Sequence, residues 1–358
     1  MKLDLLHYEL PESAVAQRPA ERREAARLLV LDPRAEHLEH RRVSDWPNLV
    51  PAGSLVVLND TKVVKARLLG RKLTTGGKAE LLLVRRCAGS EAAPTERWQV
   101  VGKGLRDLAG QQLVFGQGDL TATVEGPSAL EGLFDVQLSV ARGSVERAIA
   151  ELGHVPIPPY IRRTDDATDV ERYQTVYARV PGAIAAPTAG LHLTEALIGE
   201  LERRGVRIAY LTLHVGLGTF QPVVTADLDE HPMHAEWMQV TETVAHEVEQ
   251  ARARGAPVIA VGTTVVRALE SAADPDRLGR VVPQQGETRT LIQPGYVFRV
   301  VDALLTNFHL PRSTLLALVA AFAGRERVLA AYAEAIDRGY RFYSYGDAMW
   351  IAARETTS

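Results

Sequence analysis

Val258-Ile-Ala-Val-Gly-Thr-Thr-Val-Val-Arg267 runs from four apolar, β-prone residues through a Gly-Thr-Thr turn into a helical pattern from about Val265. A short apolar run bounded by glycine, then helical periodicity, predicts a strand feeding a helix. Upstream, Glu242 to Arg254 reads as a helix closed by Gly255, and Val206 to Leu213 as a strand. Before that strand Thr194 caps another helix, with Glu195 in its first turn. Ala196, Leu197 and Leu201 share one face of it, and Gly205 closes it. Downstream, Leu304-Leu305 lead to a turn, and Ser313 opens the very apolar helix Thr314 to Ala323. This alternation predicts an α/β main domain built on a largely parallel, barrel-like sheet.

Toward the N-terminus, Arg27 to Asp32 and Leu55 to Asn59 read as further strands. Then the texture changes. Ala66 to Lys72, Ala79 to Arg85, Arg97 to Gly102, Gln111 to Phe115, Leu120 to Glu125 and Leu133 to Val140 are short β-prone runs parted by glycine-rich turns. Evenly spaced short strands predict a small antiparallel barrel. The expected organisation is 1–61 as the first part of the main domain, 62–150 as an inserted β-barrel, and 151–358 as the remainder. A length of 358 residues suits two such units.

No apolar run approaches the roughly 18 residues needed to span a bilayer. Asp4, His7 and Glu9 interrupt any signal-peptide core. One cysteine, Cys87, leaves no disulfide framework or cysteine-rich metal site. These features predict a cytoplasmic protein with no membrane partner, expected to be a monomer rather than a stable oligomer. The formal charge is −3, yet Lys62 to Arg106 holds eleven basic and three acidic residues, +8 net, leaving −11 for the rest. Such a block can follow a phosphate backbone or simply face solvent.

Three strand ends carry polar turns. His214-Val-Gly-Leu-Gly-Thr-Phe220 brings Gly216 and Gly218 to a position where backbone can approach a ligand, or where a tight turn is needed. Gly262-Thr263-Thr264 offers free N–H groups and hydroxyls to a carboxylate or phosphate, with Arg267 a turn later. Ordinary N-capping by either threonine is the alternative. Thr306-Asn-Phe-His-Leu-Pro-Arg-Ser313 crowds Asn307, His309 and Ser313 at one junction. In α/β folds ligands sit beyond the carboxyl ends of parallel strands, so the three turns are expected to converge. His231, His234 and Glu236 raise a rival, zinc-dependent reading, although their spacing matches no helical zinc motif. Cys87 beside Arg85 and Arg86 is either an activated thiolate or incidental.

In order, these blocks resemble one family, the S-adenosylmethionine:tRNA ribosyltransferase-isomerases of queuosine biosynthesis. The similarity is carried by Tyr8-Glu-Leu-Pro11, Ala26 to Asp32, Leu58 to Arg67, Gly77 to Leu83, His154 to Ile161, Tyr173-Gln-Thr-Val-Tyr177 and Ala186 to His192. It continues through His214 to Pro222, Val261 to Ser271, Pro294-Gly-Tyr296, Asp302 to Leu316 and Tyr340 to Asp347. Leu193, Ala235 and Val265 depart from the family pattern. The resemblance implies an α/β domain with an inserted β-barrel and no metal. It implies transfer and rearrangement of the ribosyl part of S-adenosylmethionine onto 7-aminomethyl-7-deazaguanine at the tRNA wobble position. Epoxyqueuosine forms, and adenine and methionine leave.

The sulfonium acidifies the adjacent ribose carbon, so a base is required within hydrogen-bond reach. His192, His214, His234 and His309 are the candidates, with Glu236 and Asp347 behind them. Gly216, Gly218, Thr219, Asn307 and Ser313 are expected at the donor, with Thr263, Thr264 and Arg267 on its methionine carboxylate. Asn59, Asp60, Thr61, Tyr173 and Gln174 are expected at the tRNA base, where Tyr173 can stack. Lys62, Lys65, Arg67 and Arg71 are expected on phosphates. A metal-dependent hydrolase and a non-catalytic RNA-binding protein are the two alternative classes.

Overall fold

The structure, a computed structural model, describes residues 1–358 except 33, 34, 36, 91, 103, 104, 106–108, 131, 221, 222 and 354–358, and of 219 and 220 the backbone alone. Lys103, Arg106 and Glu91 of the basic block therefore lie outside the described residues, as does the Thr219 side chain. The chain forms two compact units. The first comprises Met1–Lys62, Pro158–Arg163 and Glu171–Ser358; the second comprises Val63–Ile157 and Thr164–Val170.

Before the insertion come β1 (Arg27–Leu31), β2 (Glu39–Arg42), α1 (Trp46–Leu49), β3 (Leu55–Asn59) and β4 (Thr61–Val63). The second unit holds β5 (Arg67–Lys72), β6 (Lys78–Ala88), β7 (Thr95–Gly102), β8 (Gln112–Phe115), β9 (Leu120–Pro127), β10 (Phe134–Ser139) and α2 (Val145–Leu152), with α3 (Ala167–Arg172) after it. Then follow β11 (Val180–Ala183), α4 (Glu195–Arg203), β12 (Arg207–Leu213), β13 (Glu236–Val240), α5 (Glu242–Ala253), β14 (Val258–Val261) and α6 (Thr263–Ser271). The chain ends with β15 (Gln284–Thr288), β16 (Ala303–Asn307), α7 (Thr314–Ala323), α8 (Arg325–Asp337) and β17 (Ala348–Ile351).

In the second unit six strands close into an antiparallel barrel in the order β10-β7-β6-β5-β8-β9. Alternate residues of β9 point inward: Leu120, Ala122 and Val124 are buried. This unit runs past the expected limit at 150. His154 and Arg67 exchange backbone hydrogen bonds of 2.7 and 3.3 Å, which tie the segment after α2 to β5.

The main sheet has nine strands in the order β15-β13-β12-β3-β14-β16-β17-β1-β2. Its centre, β12, β3, β14 and β16, is parallel, and Val57 stands opposite both Ala209 and Ala260. Antiparallel pairs flank that centre on both sides. The sheet is open, which corrects the barrel-like expectation. Its margins β15 (Gln-Gln-Gly-Glu-Thr) and β2 (Glu-His-Arg-Arg) are polar and largely exposed, the composition of edges rather than of a closing seam.

Both faces of the sheet are covered. Leu55 and Val57 of β3 join a core with α5, α6, α7 and α8, whereas Val56 and Leu58 join one with α1 and α4. Strands buried on both faces must read as continuous apolar runs, and Leu55-Val-Val-Leu and Val258-Ile-Ala-Val do. Burying each such side chain contributes about 1.5–3 kcal/mol before chain entropy is charged against it. The helix starts follow the expected chemistry. Thr194 accepts from Leu197 N–H at 3.2 Å and Ser313 from Leu316 N–H at 3.2 Å. The start of α6 differs: Gly262, at φ 94°, stands at its N-cap and neither threonine caps it.

Candidate active site

From β3 the chain reaches β12 on one side and later β14 on the other, so the order reverses at β3. The carboxyl ends at such a reversal form a crevice. Within the first unit this region holds a cavity of about 440 Å³. Of the expected residues, Tyr173, Gly218, His234, Glu236, Thr263, Thr264, Arg267, Asn307, His309 and Ser313 line it. The turns after β14 and β16 and the Gly218 part of the turn after β12 therefore converge, as their positions predict.

The polar wall is built around one buried pair. Glu236, on β13, is hydrogen-bonded to Arg267 Nη1 and accepts from Gly216 N–H at 2.9 Å. Arg267 Nε donates to the Thr290 carbonyl at 3.1 Å, while Nη2 is buried without a hydrogen-bond partner among the described residues. Each carboxylate oxygen of Glu236 thus has a partner within the protein. Among the described residues no group of three metal-ligating side chains is assembled. The first N–H groups of α6 have no intrahelical acceptor, and they open at Thr263 and Thr264 beside that arginine.

His309 is buried and its Nε2 lies 2.9 Å from Thr306 Oγ1; burial lowers its pKa to about 4. Gly218 packs against His234: a Cβ there would lie 2.9 Å from the ring. Ser313 uses its hydroxyl on Leu316 N–H and on the Leu310 carbonyl, so it serves the helix start.

Other expected residues lie outside the cavity lining. His214 stacks on Trp237 at 4.9 Å between ring centroids and bonds Thr61 Oγ1 at 2.7 Å; burial lowers its pKa. Gly182 presses on the same ring: a Cβ would fall 2.6 Å from Nε2. Gly182→Ala is therefore expected to push His214 off Trp237 at a cost of about 1–3 kcal/mol, measured as a lower urea midpoint and changed tryptophan fluorescence. Unchanged values would show that the ring yields freely. Gly216 is placed by its bond to Glu236. Asp347 accepts from the backbone N–H groups of Arg27 (2.9 Å) and Arg341 (2.8 Å), one on each carboxylate oxygen.

The expected tRNA-base contacts Asn59, Asp60 and Thr61 also lie outside that lining. All three are buried. Asn59 bridges β3 to β12 through both Leu213 backbone groups and reaches Thr264 Oγ1. Asp60 holds Arg179 (2.7 Å) and Thr212 Oγ1 (2.7 Å). Gln174 is half-buried outside the cavity lining. Lys62 and Arg71 are exposed, Lys65 donates to the Ala150 carbonyl, and Arg67 is paired with Glu80.

Sequence reasoning missed Tyr160, Thr188, Arg312, Tyr343 and Ser344, which also line the cavity. Tyr160 OH bonds Ser344 Oγ at 2.6 Å, and burial raises its pKa to about 12. Arg312 (φ 55°) and Tyr343 (φ 72°) are the two non-glycine residues with positive φ among the described residues. Strain of this kind gathers at functional sites. The signal available was position: Tyr343 and Ser344 fall inside the Tyr340 to Asp347 block.

His192 is buried and bonds Asn307 through Nε2 at 3.1 Å; burial lowers its pKa to about 4, against the opposing pull of Asp347. Unfolded histidine protonates near pH 6.5. Between about pH 4 and 6.5 the unfolded chain binds the more protons, so stability is fully present above that window and is lost as pH falls through it. For His192 and His309 the loss from pH 7.5 to pH 5 is expected to be about 2 kcal/mol each. A urea midpoint that does not fall over that interval would contradict the buried neutral state.

An open, doubly wound sheet whose strand ends meet at a polar cavity defines an α/β enzyme scaffold with an inserted β-barrel. The family described as queuosine biosynthesis protein matches residues 3–351. The chain belongs to that family. It is 58% identical to the S-adenosylmethionine:tRNA ribosyltransferase-isomerase of Sorangium cellulosum, over 98% of each chain. It is 48% identical to the protein of the same name from Moorella thermoacetica, over 98% of this chain and all of that one. The crystal structure of the S-adenosylmethionine tRNA ribosyltransferase of Thermotoga maritima matches with 34% identity and a TM-score of 0.53, over 97% of this chain and 99% of that one.

Proposed function

We propose that this protein is an S-adenosylmethionine:tRNA ribosyltransferase-isomerase. It transfers the ribosyl moiety of S-adenosylmethionine to 7-aminomethyl-7-deazaguanine at the tRNA wobble position and rearranges it to epoxyqueuosine, with release of adenine and methionine. The observation that carries this reading is the match to relatives of that name along essentially the whole of both chains.

The cavity supports it chemically. Arg267 Nη2 and the first N–H groups of α6 suit the carboxylate of the methionine part. His234 and His309 line the cavity and suit proton removal beside the sulfonium. A low pKa keeps His309 in its neutral, proton-accepting form at neutral pH. Exposed Lys62 and Arg71 suit tRNA phosphates. S-adenosylmethionine acts as co-substrate and the reaction is read as metal-independent. A monomer in the cytoplasm suits this reading. Among the described residues no helix is long and apolar enough to cross a membrane.

The test is mass spectrometry of tRNA bearing 7-aminomethyl-7-deazaguanine after incubation with protein and S-adenosylmethionine under chelator, with free adenine assayed in parallel. An epoxyqueuosine mass with adenine release is expected. Unchanged tRNA from folded protein, with or without added metal, would refute the assignment; activity only with metal would refute its metal independence.

A further inference from the structure

Asn307 ends β16, is 2% exposed and lines the cavity. Its amide nitrogen donates to two acceptors at 3.1 Å each, the Tyr343 carbonyl and His192 Nε2. A carbonyl only accepts, so the amide must present nitrogen to Tyr343; the flipped amide would set oxygen against oxygen. The second N–H then points to His192, whose Nε2 must be the bare nitrogen of a neutral ring with its proton on Nδ1. Both donors of Asn307 are therefore spent. Its Oδ1 is buried with no hydrogen-bond partner among the described residues. A buried acceptor left unmade is costly, so a water, an ion or a ligand group is expected to complete it, and this one belongs to a residue of the cavity lining.

The surrounding backbone is built to hold this amide. Tyr343 keeps its left-handed conformation through three backbone bonds. Its N–H donates to the Phe308 carbonyl (3.2 Å), its carbonyl also accepts from Gly346 N–H (2.9 Å), and Asp347 N–H closes the turn on the Arg341 carbonyl (2.8 Å). A side chain at Gly346 would collide with that turn, its Cβ falling 2.5 Å from the Arg341 carbonyl oxygen.

We propose that Asn307 Oδ1 accepts a hydrogen bond from an amino group of the bound ligand, and that His192 and Tyr343 are positioning residues that fix the amide for it. This rests on the donor-and-tRNA reading above. Three amino groups share the required chemistry: the purine amino and the α-amino groups of S-adenosylmethionine, and the aminomethyl group of the tRNA base.

The first test needs no turnover. In protein labelled with 15N-histidine, the His192 signals are assigned by their loss in His192→Gln. A neutral ring protonated on Nδ1 is expected at pH 7; an Nε2–H ring overturns the proposal. The second test compares His192→Gln, which supplies a neutral acceptor, with His192→Phe, which does not. The glutamine variant is expected to keep kcat within about fivefold, while the phenylalanine variant raises the ligand KM about tenfold to a hundredfold. Equal collapse of kcat in both would make His192 the base itself.

The third test measures binding of S-adenosylmethionine and of substrate tRNA to Asn307→Ala by calorimetry, with Asn307→Ser as the second variant should alanine not fold. One ligand is expected to bind about tenfold to a hundredfold more weakly. Donor analogues lacking the purine amino or the α-amino group, and tRNA lacking the aminomethyl group, identify the partner: its loss weakens binding to wild type and not to the variant. Unchanged binding of every ligand overturns the acceptor role. Wild-type protein that binds as expected yet yields no epoxyqueuosine would sink the proposed reaction and leave this inference standing.

Discussion

Arg267→Ala is expected to lower folding stability by about 3–5 kcal/mol, because it leaves the Glu236 carboxylate buried without its cation. Arg267 and Glu236 are 7% and 6% exposed, so water cannot replace the lost partner. The Thr290 carbonyl and, through Glu236, the Gly216 turn lose their fixed positions as well. Urea unfolding measures the cost. The double variant Arg267→Met/Glu236→Gln is expected to recover a large share of it, since it removes both charges together. Recovery of stability must not bring back function. Under the proposed reaction the guanidinium receives the donor carboxylate, so the affinity for S-adenosylmethionine is expected to fall about a hundredfold or more in both variants. Lysine does not substitute, because one ammonium cannot reach Glu236, Thr290 and a ligand in the fixed fork of a guanidinium. A stable double variant that binds the donor normally would show the pair to be structural only.

Glu270→Ala is the second large effect, about 3–5 kcal/mol, and it lies away from the cavity lining. Glu270 is 5% exposed near the end of α6. Its Oε1 accepts from Val300 N–H and Val301 N–H at 3.0 Å each, and its Oε2 from Arg299 N–H at 2.9 Å and Tyr296 OH at 3.3 Å. Burial, then this carboxylate, pushes the Tyr296 phenol well above its ordinary pKa. One side chain thus collects the backbone donors of the segment that delivers β16. Alanine leaves three N–H groups without acceptors, at about 1–3 kcal/mol for each one that water cannot reach. Glutamine keeps one acceptor oxygen and is expected to cost roughly half as much. Because β16 carries Asn307, the alanine variant should also weaken ligand binding. Equal urea midpoints for wild type and Glu270→Ala would refute the account.

The elements were largely legible because their signals are local. The caps at Thr194 and Ser313, the glycine stops and the six short barrel strands each lie within a few residues of what they determine. Openness of the main sheet was not legible. Strands buried on both faces look the same in an open doubly wound sheet and in a closed barrel, and the polar margins alone distinguish them. In the site, the convergence of the turns after β14 and β16 was legible because α/β topology brings strand ends together. The protein contacts of Asn59, Asp60 and Asp347 were hidden for one shared reason. A polar residue at a strand end looks available for a ligand, whereas its partner lies far off in sequence: Leu213 for Asn59, Arg27 for Asp347. The Glu236–Arg267 pair was hidden in the same way, each half carrying its own plausible role. Tyr343 was missed because left-handed backbone at a tyrosine has no compositional mark.

The position of β3 has a consequence for synthesis on the ribosome. Its two neighbours, β12 and β14, begin at Arg207 and Val258, long after Asn59 has been added. At about 5–20 residues per second, the nascent chain carries Leu55-Val-Val-Leu for roughly 7–30 s before β12 is even made. Both edges of that strand are unpaired meanwhile, the condition that invites wrong pairing. The six barrel strands, made during the same interval, satisfy one another. The central strand is therefore the segment for which a nascent-chain chaperone has most to shield, and slowing translation after residue 59 lengthens that exposure directly.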